Sequence, residues 1–218
     1  MSKLIPPHGG KGLTICLLEG AELEEEKKKA QGLKQIPITA SERGDLIMIG
    51  TGGFSPLSGF MTKADWKGVC DNYLLADGTF WPIPVTLSAS KEDADSINEG
   101  DEVALYDPEG DEIMATMKVT EKYEMTEENK RYQCEKTFMG EGTANAEEFW
   151  KIAEEEHPGV QKVMNQKQFN LAGPVKVLSE SDFPTAYKGI YLRPSESRKI
   201  FEDKGWSRIP AMQLRNPM

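Results

Sequence analysis

Apolar positions recur at helical spacing in some stretches of the chain and at strand spacing in others. Trp66, Val69, Cys70 and Tyr73 fall at i, i+3, i+4 and i+7, which predicts one apolar helix face. Thr62 stands at the N-cap, and Asp65 follows three residues later in capping-box style. Ala146 to Glu156 predicts a short amphipathic helix with Phe149, Ile152 and Ala153 on one side. Glu102–Tyr106 and Ile113–Val119 are short β-rich runs around the turn DPEGD, residues 107–111, and predict a hairpin. In FWPIPVTLSA, residues 80–89, two prolines exclude a central strand at the start, leaving Val85 to Ala89 as the strand candidate. In TGGFSPLSGFM, residues 51–61, glycine and proline set a tight path that Phe54, Leu57 and Phe60 anchor to a core. The run Glu24 to Lys29, EEEKKK, places Glu24/Lys28 and Glu25/Lys29 at i,i+4 and reads as a solvated helix face.

The pattern changes after about residue 170. Up to there it predicts a β-rich α+β domain. Beyond Pro174–Leu178 comes a polar connection, then Pro194 at a helix first turn, a helix body over Glu196–Lys204 and a stop at Gly205. Trp206 to Gln213 then reads as a strand, interrupted by Pro210. A helix feeding a strand that ends in a polar loop is the opening of an α/β sheet domain. In open α/β sheets ligands sit at the carboxyl ends of strands, so Gln213, Arg215 and Asn216 would stand at a site. A single helix and strand cannot bury both faces of that strand, so this part is expected to pack poorly by itself.

Composition narrows the function classes. The chain has 218 residues, 38% hydrophobic and 28% charged, enough to bury a core. A net charge of −10 argues against a nucleic-acid groove or an anionic membrane as the main partner. No run approaches the ~20 apolar residues of a membrane span, and the start, MSKLIPPHGG, lacks a secretory apolar region, so a cytoplasmic location is expected. Cys16, Cys70 and Cys134 are far apart and odd in number, which predicts reduced thiols, not a disulfide or zinc framework.

Several residues invite chemistry. In QLRNP, residues 213–217, Arg215 offers a planar fork of donors suited to sulfate or phosphate, and Gln213 and Asn216 add neutral amides. On pattern alone the segment reads equally as a polar chain end. Ser55 and Ser58 lie outside any G-x-S-x-G elbow and have no histidine partner, so a structural loop is expected there. His8 and His157 read as turn or capping residues, because no second histidine stands at ligand spacing. The acidic residues between 92 and 112 lack calcium-loop spacing and read as surface.

PHGG, GGFSPLSGFM, FWPIPVTL, EHPGV and WSRIPAMQLRNPM, in this order, resemble the ATP sulfurylase (sulfate adenylyltransferase) family, in its bacterial form, from residue 6 to the last residue. The resemblance implies a PUA-like, β-rich domain over 1–172 and the start of a Rossmann-like α/β nucleotidylyltransferase domain over 173–218. It implies the reaction of ATP with sulfate to give adenylyl sulfate and pyrophosphate, run in reverse in sulfur oxidation. Gln213 and Arg215 would hold sulfate, Gln213 and Asn216 the nucleotide, and Arg215 and Asn216 would be catalytic. Mg2+ would accompany ATP without dedicated protein ligands, and the full-length protein would be a homo-oligomer. In the family the motif continues as RNP-x-H-x-x-H, whereas the sequence ends at Met218, so the chain is expected to be an incomplete, inactive piece. Two competing readings are a PUA-like RNA-binding module, which the −10 charge disfavours, and a scaffold element without catalysis.

Overall fold

The computed structural model describes residues 4–139 and 145–211. Among them, seven strands join into one mixed, curled sheet with helices packed against it. The expected hairpin is present as β4 (Glu102–Asp107) and β5 (Glu112–Lys118), paired antiparallel. On its outer edge β1 (Lys34–Pro37) runs parallel to β4, with Ile36 opposite Leu105.

The organising strand is β7 (Phe169–Val177). Its last residues pair with β5, placing Val177 opposite Ala115. Its middle meets β2 (Gly59–Phe60), and its first residues lie between β3 (Leu87–Ala89) and β6 (Glu121–Glu124). β7 passes without interruption through residues 172 and 173, the junction expected from sequence. Where β2 crosses β7 the backbones touch: a Cβ on Gly59 would lie 1.9 Å from the Gly173 carbonyl oxygen, so only glycine fits.

The core behind the sheet includes Ile36, Leu46, Ile49, Leu87, Leu105, Met114 and Leu171. Leu57 and Phe60 are buried and Phe54 packs on the same cluster, as the loop pattern predicted. Ser55 is buried there too; its Oγ accepts from Thr14 N at 2.9 Å and donates to Gly52 O at 2.6 Å, a structural role.

Helix α2 (Ala40–Gly50) opens with a complete capping box between Thr39 and Glu42, and α3 (Lys63–Asn72) opens with Thr62 accepting from Asp65 N. Trp66, Val69 and Cys70 are buried as expected, but Tyr73 is 48% exposed. It sits at φ 57° as the left-handed C-cap, so it terminates the helix instead of extending its apolar face.

Two expectations of solvated charge hold except at one buried carboxylate in each stretch. In α1 (Gly20–Ala30) the i,i+4 pairs of EEEKKK do not form. Glu26 is 5% exposed and its carboxylate accepts from Lys176 Nζ at 2.9 Å, Thr116 Oγ1 at 2.8 Å and Lys29 Nζ at 3.2 Å. Within the acidic stretch 92–112, Asp107 is fully buried and accepts from Arg43 Nη1 at 2.7 Å. Burial pushes the pKa of Asp107 up, but the Arg43 guanidinium and backbone amides outweigh it, leaving the carboxyl below its ordinary value.

A helical group packs beside the sheet: α5 (Glu127–Phe138), α6 (Ala146–Glu156) and α7 (Pro158–Met164), following the short α4 (Lys91–Asp95). Cys134, Phe149, Ala153, Val160 and Val163 form its own apolar cluster. His157 caps α7, its Nδ1 accepting from Gly159 N and Val160 N. His8, which is exposed, contacts Phe80 O through Nε2 at 2.6 Å.

After β7 come α8 (Phe183–Ala186) and α9 (Pro194–Asp203), the latter with the first-turn proline read from sequence. The expected strand over Trp206–Gln213 is corrected: residues 206–211 form no strand, and 212 and 213 lie outside the described residues. No described strand pairs with residues 206–211, and an unpaired strand has no stability of its own.

Candidate functional site

Gln213, Arg215 and Asn216 lie outside the described residues. What the structure does show is how the segment that precedes them in the chain is anchored. Arg193, at the N-cap of α9, forms a fork with Glu180: Nη2 donates to Oε2 at 2.6 Å and Nε to Oε1 at 3.1 Å. Its Nη1 reaches Glu19 at 2.6 Å, and Tyr191 donates to Glu180 at 2.9 Å. Glu180 is 7% exposed, so the fork is largely shielded from water and from screening ions. Farther along, Arg198 Nη2 donates to Ile5 O at 2.7 Å. These contacts tie the tail to the end of β7, the start of α1 and the amino-terminal arm.

The tail is held by its polar groups and not by a core. Ile190 is 78% exposed, and Phe183, Tyr187, Leu192, Trp206 and Ile209 are also exposed. This agrees with the expectation that one helix with its following segment cannot bury its own apolar surface.

A second feature is a cleft of about 610 Å³ between the sheet side and the helical group. The start of α2 gives Thr39, Ser41, Glu42 and Asp45, the approach to β3 gives Ile83, Pro84 and Thr86, and the helical side gives Gln133, Phe138, Lys162 and Gln166. Glu42 is saturated: one oxygen accepts from Ser88 N at 2.7 Å and Ser88 Oγ at 2.9 Å, the other from Thr39 N and Oγ1 at 2.8 Å each. Lys162 crosses the cleft to donate to Ser41 Oγ. Burial raises the pKa of Asp45 to about 6, opposed by Lys162. Nothing in the sequence pattern pointed here, because the lining comes from four separated segments.

The thiols are poor nucleophiles: burial pushes Cys70 to about 12 and Cys134 to about 11. All three cysteines are free, as expected. Among the described residues no group of three or more histidine, cysteine, aspartate or glutamate side chains could hold a metal ion, and no helix is long and apolar enough to cross a membrane.

The family model for the PUA-like domain matches residues 5–180, from the amino-terminal arm to just beyond β7. The chain belongs to the PUA-like domain family. Beyond this PUA-like region, similarity to curated proteins extends over the whole sequence. A sulfate adenylyltransferase from Desulfatibacillum aliphaticivorans is 72% identical over 218 residues, covering 100% of this chain and 51% of the relative. One from Desulfovibrio desulfuricans is 58% identical with the same coverage. The chain therefore spans about half the length of the curated relatives it matches. Among solved structures, one described as a hexameric APS kinase from Thiobacillus denitrificans superposes with a TM-score of 0.71 and 26% identity, covering 99% of this chain and 35% of that one.

Proposed function

We propose that the chain is the amino-terminal part of a cytoplasmic sulfate adenylyltransferase, the PUA-like region being followed by the start of its nucleotidylyltransferase domain. The observation that carries this is the 72% identity that runs through all 218 residues, past the PUA-like region and through QLRNP. The continuity of β7 favours placing the junction after Leu178 and not at 172/173.

In this reading a sulfate oxygen attacks the α-phosphorus of ATP. The new bond is sulfate oxygen to phosphorus, the bond to the β-phosphate oxygen breaks, and pyrophosphate leaves with that electron pair. Gln213 and Arg215 hold sulfate, while Gln213 and Asn216 hold the nucleotide. Such a step needs alignment and charge stabilisation, not a covalent enzyme intermediate. Mg2+ would arrive with the triphosphate and neutralise part of its charge; the described residues supply no ligand cluster for it. The exposed apolar side chains between Phe183 and Ile209 would be covered by the remainder of that domain. A homo-oligomer is in keeping with the hexameric description of the structural neighbour.

The test is a chimera that joins this chain to the second half of the Desulfatibacillum relative. The chimera is expected to form ATP from adenylyl sulfate and pyrophosphate, and the 218-residue chain alone is not. Arg215→Ala in the chimera is expected to lower kcat/KM for sulfate by roughly 100-fold or more. Full activity of that variant at limiting sulfate would overturn the assignment of Arg215.

A further inference from the structure

The helical group enters and leaves the body of the protein at one place. β6 ends at Glu124, opposite Phe169 at the start of β7, and just beyond that pair Met125 N donates to Gln168 O at 2.7 Å. Helices α5 and α7 therefore hang from two strand ends that are bonded to each other, the kind of connection about which a packed unit swings. Their apolar cluster is separate from that of the body. A small cluster joins the two: Tyr132 of α5 packs against Trp66, Cys70, Tyr123 and Met125, and Trp66 Nε1 donates to Gln133 Oε1 at 2.6 Å. Towards α2 the arrangement differs. There the group faces the cleft of about 610 Å³, and lysines reach over to the body: Lys162 of α7 donates to Ser41 Oγ, and Lys167, just past α7, donates to Pro37 O at 3.0 Å. The group is packed along α3 and tethered along α2.

The charged side chains that line the cleft are Glu42 and Asp45 from α2 and Lys162 from α7; the approach to β3 and the α5 wall contribute uncharged residues. Glu42 is satisfied by Thr39 and Ser88, and Lys162 is engaged by Ser41. Asp45, one turn beyond Ser41 on α2, makes no hydrogen bond or ion pair with a described residue. While Asp45 is protonated, one carboxylate and one ammonium balance across the cleft. Loss of its proton leaves an excess negative charge there with no donor to solvate it. Burial holds its pKa up at about 6, Lys162 pulling it down and Glu42 pushing it up. In an opened cleft water solvates the carboxylate and the value falls back towards 3.8. The open form thus gives up the proton more readily, and rising pH favours opening.

We propose that α5 and α7 form a lid over this cleft, hinged at the β6–β7 junction and latched by Lys162 on Ser41, and that loss of the Asp45 proton to solvent releases it. The inference is independent of the adenylyltransferase reading, and either can fail without the other.

The test uses a neutral gadolinium chelate dissolved with the 218-residue chain, whose effect on NMR relaxation reports how closely solvent approaches each methyl group. Val163 lines the cleft and is 7% exposed; Leu105 is fully buried in the sheet core and serves as the reference. Between about pH 5 and about pH 7.5 the enhancement at the Val163 methyls is expected to rise by about threefold or more, with Leu105 unmoved. An unchanged value at Val163 overturns the proposal. A fall there would mean that ionised Asp45 captures Lys162 and tightens the closure, and an equal rise at Leu105 would mean general loosening; each overturns it as well. Asp45→Asn is expected to keep Val163 shielded at both pH values, and a persisting rise would remove Asp45 as the trigger. Lys162→Met is expected to expose Val163 already at the lower pH, and unaltered shielding would remove Lys162 as the latch. The comparison of the two pH values in the unaltered protein stands even if a variant fails to fold.

Discussion

Glu26 shows what a single buried carboxylate does for this fold. Burial alone would raise its pKa, but hydrogen bonds from Lys176, Thr116 and Lys29 overcome that and hold it at about 2 instead of 4.5. A depressed carboxylate pKa means that the unfolded state binds the proton more readily. The stabilisation is therefore fully present above pH 4.5 and is lost as pH falls towards 2. Glu26→Gln is expected to cost roughly 2–3 kcal/mol at neutral pH in urea unfolding, with the difference from the unaltered chain closing through that acid range. Asp45 behaves in the opposite sense. Its folded pKa of about 6 lies above its ordinary 3.8, so the folded state holds the proton longer and stability declines as pH rises between those values. Asp45→Asn is expected to stabilise the protein at pH 7–8 by roughly 1–2 kcal/mol, discounted for partial exposure, and to have no effect near pH 3. Thermal unfolding at the two pH values checks it. Neither behaviour was legible in the sequence. Three consecutive glutamates look alike by spacing, and only the position of Lys176, 150 residues away, singles out Glu26.

At the scale of elements, local rules were read well and crossings were not. The hairpin at DPEGD and the Thr62-capped helix carry their signals within a few residues, and both stand in the structure. β7 carried no such signal, because a strand that pairs along both edges is defined by distant partners. The stop at Tyr73 was also hidden, since only its backbone conformation distinguishes it from one more turn of apolar face. The β2–β7 crossing yields the sharpest test at this scale. Gly59→Ala would drive a methyl into a backbone carbonyl that cannot swing aside, and is expected to destabilise by about 3 kcal/mol or more. A midpoint for chemical unfolding unchanged from the native chain would show that the crossing is looser than described.

For the whole molecule, the sequence marked a change of character near residue 173, and the structure places a tail held by ion pairs after β7. The expected strand at Trp206 failed where Pro210 interrupts it and no described strand pairs with residues 206–211. The candidate triad at 213–216 was legible only as a motif, while the cleft was invisible because the chain assembles it from four places. Arg193→Ala would strand the shielded carboxylate of Glu180 and remove the link to Glu19. Hydrogen exchange of the α9 amides is expected to accelerate by about tenfold, with the β4 and β5 amides unaffected. Equal acceleration in both regions would mean that the tail and sheet unfold as one unit.

The late position of β7 governs the order in which this protein can be made. β5, β2, β3 and β6 all emerge during synthesis before the strand that joins them, which begins at Phe169. Until then the nascent polypeptide holds strand edges with nothing to close them, the condition under which incomplete chains stick to one another. Translation that stalls short of residue 169 should thus yield a species dependent on chaperones, and completing the strand through Val177 should release it.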